Sequence, residues 1–248
     1  MITGGTSGIG AAFARRFGAM GYSLVLVARD EKRLDDSAVT LRTRYGVTVE
    51  TIRADLNDPD ACRRVEEYLA APENAVDVLV NNAGFGLPKP YPHNAVEDEE
   101  RMLDILVRTP LRLTHAVIPG MKARGRGVIL NVGSVAGLLP TGTYGAAKAW
   151  LIAFSESLRV DLARDGIKVL ALCPGFTRTE FQRRAGMDVS SLPARVWLDA
   201  DRVVDQALKD LRRNRPVSIT GWRYTAYALA VRHVPRAVAA KMARSRTR

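Results

Sequence analysis

A glycine-rich turn at the very start of the chain constrains its fold more than any other feature. The run Thr3-Gly4-Gly5-Thr6-Ser7-Gly8-Ile9-Gly10 carries glycines at 4, 8 and 10, where a missing Cβ permits a tight turn and lets a phosphate approach the main chain. Ala12, Phe13, Phe17 and Met20 then recur at helical spacing. The free N–H groups and positive dipole end of that helix suit a pyrophosphate. Gly21 fits the helix C-terminus, and Ser23-Leu24-Val25-Leu26-Val27-Ala28 reads as a buried strand. Strand, glycine turn, helix and strand form the dinucleotide-binding unit. Gly4, Thr6, Ser7, Gly8, Ile9 and Gly10 are its candidate cofactor contacts; a glycine loop without cofactor is the alternative for this segment alone.

The rest of the chain continues the alternation. Strands are expected near 23–28, 47–53, 76–81, 128–132 and 168–173, and helices near 10–20, 31–45, 59–70, 97–122, 143–164 and 199–213. Pro110 should kink or divide the fourth of these helices. Such alternation predicts an α/β, Rossmann-type doubly wound parallel sheet in three αβα layers. The 248 residues suit one such domain, placed at 1–215, followed by a basic amphipathic C-terminal extension over 216–248.

Tyr144 and Lys148 lie four apart in a stretch that reads as helix, so they share a face one turn apart. A phenol ordinarily loses its proton near pH ~10, and a neighbouring ammonium favours the phenolate. Such a tyrosine can act as acid or base. Ser134 lies ten residues upstream, where the apolar run Val128-Ile129-Leu130-Asn131-Val132-Gly133 ends. Asn81-Asn82-Ala83-Gly84 follows the strand Val76-Asp77-Val78-Leu79-Val80, where open α/β sheets bind ligands.

These motifs, in this order, resemble the short-chain dehydrogenase/reductase family. They are T-G-x-x-x-G-x-G at Thr3 to Gly10, N-N-A-G at Asn81 to Gly84, Y-x-x-x-K at Tyr144 to Lys148, and Pro174-Gly175-Phe176-Thr177-Arg178-Thr179. The resemblance implies an oxidoreductase that moves a hydride between a nicotinamide cofactor and a carbonyl or alcohol. It implies that Tyr144 exchanges a proton with the substrate oxygen, that Ser134 hydrogen-bonds that oxygen, and that Lys148 holds the nicotinamide ribose hydroxyls. It places Asp55 and Leu56 beside the adenine, and Asn81, Ala83, Gly84, Pro174, Gly175 and Thr177 along the cofactor cleft. A homodimer or homotetramer is the implied assembly.

Cofactor choice rests on the end of the second strand. An NAD enzyme needs an acid there for the ribose 2′-hydroxyl. This chain has Ala28 and then Arg29, whose guanidinium suits the 2′-phosphate of NADP. NADP rather than NAD is therefore expected, with the adjacent Asp30 as a countersign. Two departures from the family stand out. Ser134 and Tyr144 are a few residues closer together than usual, and Leu106 occupies the position of an asparagine that holds a relay water. Leu106 raises the alternative of a catalytically weak or inactive nucleotide-binding module. Phe85, Leu138, Leu139, Phe176, Phe181, Met187 and Trp197 are candidates for an apolar substrate pocket, under a lid over 178–198.

Charge is concentrated at one end. From Arg212 onward the chain has ten basic residues and no acid, so this tail carries +10 of the formal +11. Trp222, Tyr224 and Tyr227 lie beside that charge, and Pro235 divides the tail into two expected short helices. The combination suits adsorption to an anionic membrane surface; packing over the substrate cleft or at a subunit interface is the alternative. No motif points to specific nucleic-acid binding. Cys62 and Cys173 read as thiols of a reducing, cytoplasmic compartment, and His93, His115 and His233 lack metal-ligand spacing. Only Met1 and Ile2 precede Thr3, and a natural start further upstream is expected from the shortness of that first strand.

Overall fold

The structure is a computed structural model and describes residues 1–233, with side chains described through 230. Strands β1 (Ile2–Thr3), β2 (Leu24–Ala28), β3 (Val49–Arg53), β4 (Val78–Asn81), β5 (Gly127–Val132), β6 (Ile167–Cys173) and β7 (Val217–Ile219) form one sheet. The order is β3-β2-β1-β4-β5-β6-β7, and every pairing is parallel. The chain reverses its direction of travel across the sheet between β1 and β4. A crevice opens beyond the strand ends at such a point.

Helices cover both faces. On one lie α1 (Gly8–Ala19), α2 (Glu31–Tyr45) and α8 (Ala200–Arg212), burying Phe13, Phe17, Leu34, Leu41, Val203 and Val204. On the other, α3 (Pro59–Ala70), α4 (Val96–Leu103), α5 (Thr109–Ala123) and α6 (Gly142–Asp161) bury Val65, Leu69, Met102, Leu113, Val117 and Ala147. The start signals are local. Asp30, Asp58 and Asp199 each accept a backbone N–H in the first turn of α2, α3 and α8, and Gly46 ends α2 at φ 67°. The division expected at Pro110 is present. The helix passes through a π-helical turn at Asp104–Arg108, and Pro110 stands in the first turn of α5.

The boundary at 215 needs correction. Strand β7 lies within the segment assigned to the extension, yet it pairs with β6 from Ala171↔Val217 to Cys173↔Ile219 and belongs to the sheet. Three residues are too few to show a period. After α7 (Phe181–Arg184) and α8, the last described helix is α9 (Trp222–His233). The Tyr224 hydroxyl donates to Val196 O (2.7 Å) and accepts the Phe176 N–H (3.1 Å), so α9 is tied to the segment following β6. The tail residues 235–248, on which the expected membrane contact depends, lie outside the described residues. Among the described residues no helix is long and apolar enough to cross a membrane.

Candidate active site

The glycine turn is built by hydrogen bonds and by missing side chains. Gly4 and Gly8 have φ of 64° and 54°, conformations that favour glycine. A Cβ on Gly10 would stand 2.2 Å from the Gly4 carbonyl oxygen. The Thr3 hydroxyl accepts the N–H groups of Asn82 (2.9 Å) and Ala83 (3.0 Å), and the Asn82 amide donates to the carbonyls of Thr3 (2.9 Å) and Gly4 (3.2 Å). The turn is thereby locked to the end of β4. Helix α1 starts at Gly8 with no acid in its first turn, and the Ser7 side chain makes no capping bond. Thr6, Ser7 and Gly8 line a cavity of about 710 Å³, with Arg15, Arg33, Arg178 and Thr179 and the acids Asp36, Glu180, Asp199 and Asp201 on its other walls. The free N–H groups at the start of α1 are the donor set that suits a phosphate there. Ile9 turns the other way and packs on the core.

At the end of β2 the Arg29 side chain is 62% exposed, and its guanidinium lies 3.9 Å from Asp55. Asp30 accepts the Arg33 N–H (3.0 Å) as the cap of α2, with its carboxylate 3.6 Å from the Arg33 guanidinium. Two expected cleft residues are placed differently. Asn81 donates to Thr114 (3.1 Å) and Asn131 (2.8 Å) and is buried; Leu56 is buried among core residues. Both side chains turn away from the cleft. Ala83 and Gly84 lie at its floor, half-buried and exposed. Pro174 and Gly175 follow β6, and buried Thr177 donates to Gly175 O (3.0 Å).

Ser134, Tyr144 and Lys148 come together beyond β5. Tyr144 lies beside Ser134, whose oxygen accepts the Ala136 N–H at 3.1 Å. The short connection closes because two glycines leave room for their neighbours. A Cβ on Gly137 would stand 2.7 Å from Lys148 C, and one on Gly145 would stand 2.1 Å from the Thr141 hydroxyl. The expected pairing of ammonium with phenol takes the form of a ring contact. Lys148 Nζ donates to Val132 O (2.7 Å) and lies 5.7 Å from the Tyr144 ring centre. Burial pushes the Tyr144 phenol up to about 12, with the neighbouring Ser134 acting the other way, and burial holds Lys148 down to about 8. At neutral pH the tyrosine therefore holds its proton and is ready to give it to an oxygen placed beside Ser134. Leu106 is buried in the core. A Cβ on Gly84 would meet its Cδ2 at 2.6 Å, so its role is packing.

Several contributors were not read from the sequence. Asn82 stands in the motif, yet Asn81 was read as the cleft residue. Glu99, only 3% exposed, accepts from Asn94 (2.7 Å) and from Thr143 (2.5 Å), the residue before Tyr144. It sits in Val96-Glu97-Asp98-Glu99-Glu100, which reads as a solvated acidic run. Arg33 and Glu180 form a bidentate pair (2.7 and 3.1 Å) across the cleft, with no sequence signal to join them. Of the pocket candidates, Phe181 packs on Tyr144 at 5.8 Å and Phe176 on Trp197 at 5.9 Å, while Leu139 is buried and Met187 is 40% exposed. Arg178 lies over Trp197, and Arg183 and Arg184 pair with Glu180.

A parallel sheet with a glycine turn at its switch point and a Ser-Tyr-Lys set opposite defines a dinucleotide-binding oxidoreductase. The family model for short chain dehydrogenases matches residues 1–189, and the chain belongs to that family. Sulfoacetaldehyde reductase 2 of Chromohalobacter salexigens is 41% identical over 186 residues, 73% of each chain. An NADP-dependent 3-hydroxy acid dehydrogenase of Salmonella typhi is 38% identical over 186 residues, again 73% of each. A solved short-chain dehydrogenase from Sphingobium yanoikuyae, in complex with NADPH, superposes with a TM-score of 0.86 at 39% identity, covering 93% of this chain and 92% of that one.

Proposed function

We propose that the chain is an NADP-dependent oxidoreductase acting between a carbonyl and the corresponding alcohol, with an apolar substrate. The observation that carries this reading is the convergence of Ser134, Tyr144 and Lys148 beyond β5, with Lys148 one helical turn from Tyr144 and its ammonium 5.7 Å from the Tyr144 ring centre. When bound, the cofactor supplies or accepts the hydride. Tyr144 gives the proton to the substrate oxygen in reduction and takes it back in oxidation. Ser134 holds that oxygen in place, and Lys148 holds the ribose hydroxyls.

The main chain of Gly4, Thr6, Ser7, Gly8, Ile9 and Gly10 receives the pyrophosphate, and Arg29 the 2′-phosphate. Asp55 flanks the adenine, with Leu56 and Asn81 offering main-chain atoms only. Ala83, Gly84, Pro174, Gly175 and Thr177 complete the cleft. The NADPH complex and the NADP-dependent relative support this cofactor for the present chain. The convergence of Ser134, Tyr144 and Lys148 and the packing role of Leu106 favour turnover over a silent binding module.

The test is label transfer. NADPH deuterated at the transferable position is incubated with a panel of apolar aldehydes and ketones, and the products are read by mass spectrometry. Deuterium on the carbinol carbon supports the reading; NADPH binding with no labelled product from any carbonyl overturns it.

The reading extends to a cytoplasmic homodimer or homotetramer. Cys62 and Cys173 are buried free thiols, and Leu103, Leu111 and Val160 leave apolar surface exposed on α4, α5 and α6. For the tail, Trp222 is 75% exposed with Arg223 over its ring, an arrangement suited to an anionic membrane surface. Salt-sensitive sedimentation with anionic vesicles, lost on deleting 235–248, tests that contact.

A further inference from the structure

Three consecutive residues after β6 touch three different walls of the cleft. A Cβ on Gly8 would meet Thr179 Cγ2 at 3.0 Å, so Thr179 lies over the glycine turn. Glu180 reaches α2, where Arg33 grips it with both guanidinium nitrogens at 2.7 and 3.1 Å. Phe181, the first residue of α7, reaches the proton donor. Its ring centre lies 5.8 Å from that of Tyr144 at 50°, and a Cβ on Gly86 would stand 3.3 Å from its Cζ. The Phe181 ring is thus wedged between the Gly86 backbone and the face of the catalytic phenol.

Resting on the oxidoreductase reading, we propose that Phe181 sets the upper size of the carbonyl accepted beside Tyr144, and that the Arg33–Glu180 ion pair positions Phe181 from the opposite wall. A ring against the phenol takes up the space that a bulky substituent on the carbonyl carbon would need. Gly86 gives it room on one side only. The phenylalanine is held in place by its neighbour, because Glu180 directly precedes the same four-residue helix and its side chain is fixed to α2. Arg184 and Arg183 add to that grip at 2.5 and 3.5 Å, and with Arg33 foremost they hold the Glu180 carboxyl down to about 2. The pair therefore stays ionised at any working pH. It remains one-third exposed on each side, so it is a restraint that can yield. A narrow pocket discriminates by steric exclusion, where one buried group is worth roughly 10- to 200-fold in kcat/KM.

The experiment compares kcat/KM for acetone and benzophenone in the full chain. Phe181→Ala is expected to raise the benzophenone-to-acetone ratio by about 10-fold or more. Glu180→Gln and Arg33→Met are expected to raise it in the same direction by about threefold, and Phe181→Ala/Glu180→Gln by no more than Phe181→Ala alone. Asp165→Asn, which breaks the remote Lys122–Asp165 pair, serves as the control. A second readout needs no turnover. Hydrogen exchange over 177–187 in the protein alone is expected to quicken in Glu180→Gln and Arg33→Met and to stay unchanged in Asp165→Asn. An unchanged ratio in Phe181→Ala, with acetone still reduced, overturns the size role. Additive effects in the double variant, or equal exchange in all variants, overturn the positioning role. If no carbonyl is reduced by the unmutated protein, the oxidoreductase reading fails instead, and the exchange measurement still decides the ion pair.

Discussion

The two sides of the cleft are held by different forces. On the β1, β2 and β4 side the glycine turn is fixed by backbone and amide hydrogen bonds, among them Gly4 N–H to Val27 O at 2.8 Å, and by glycines with no room for a Cβ. On the side beyond β6, the covering segment is held by ring contacts and half-exposed ion pairs, Phe181 on Tyr144, Arg178 over Trp197 and Arg33 with Glu180. Part-buried hydrogen bonds tied to a central strand leave no alternative partner and cost about 1–3 kcal/mol each when broken. Exposed ion pairs are worth about 0–1 kcal/mol. One side is preorganised for an invariant ligand, and the other adjusts at little cost. A cofactor wall and a substrate wall differ in just that respect.

Substitutions separate the two sides. The largest effect is expected from Gly10→Ala, because the new methyl meets the Gly4 carbonyl at 2.2 Å and the Asn82 amide at 2.5 Å, and neither can move without unlocking the turn. Titration calorimetry should show no NADPH binding, and denaturant unfolding a loss of about 3 kcal/mol. Next is Glu99→Ala, which strips the partner from Thr143 and Asn94 beside the start of α6. A loss of about 2 kcal/mol in urea unfolding is expected, with kcat falling more than KM, and Glu99→Gln should restore most of both.

A pH series probes the one charged member of the Ser-Tyr-Lys set. Burial lowers Lys148 from 10.5 to about 8, so its ammonium is present below that pH and lost above it, while Tyr144 at about 12 keeps its proton throughout. For reduction, kcat/KM should be level below pH 8 and fall about tenfold per unit above it. Lys148→Arg should remove the fall, since a guanidinium does not titrate there. The smallest change is expected from Arg29→Ala. The ratio of NADPH to NADH affinity should narrow by about tenfold, as one charge-assisted contact on an exposed side chain is removed. An unchanged ratio would move the 2′-phosphate contact elsewhere.

The layout was legible wherever local rules act. Glycine spacing and apolar runs located β2 to β6 and α1 to α3 within a few residues, and Pro110 marked the break before α5. What escaped depends on tertiary contact. Helical spacing put Lys148 beside Tyr144, and its ammonium lies over that ring, but its bond to the Val132 carbonyl had no sequence signal. Glu99 is one of a run of acids, and only packing against Thr143 separates it from its exposed neighbours. Asn81 and Asn82 are adjacent, and strand alternation sends the first into the core and the second to the glycine turn. Arg33 and Glu180 are 147 residues apart, beyond any local pattern.

The most direct test of the account is the turnover of Tyr144→Phe on the best carbonyl substrate of the unmutated protein, measured with its NADPH affinity. Removal of the Tyr144 hydroxyl takes away the proton and leaves the ring against Phe181. The account predicts a fall in kcat of about 10²-fold or more with NADPH binding preserved. Turnover equal to that of the unmutated protein would contradict it.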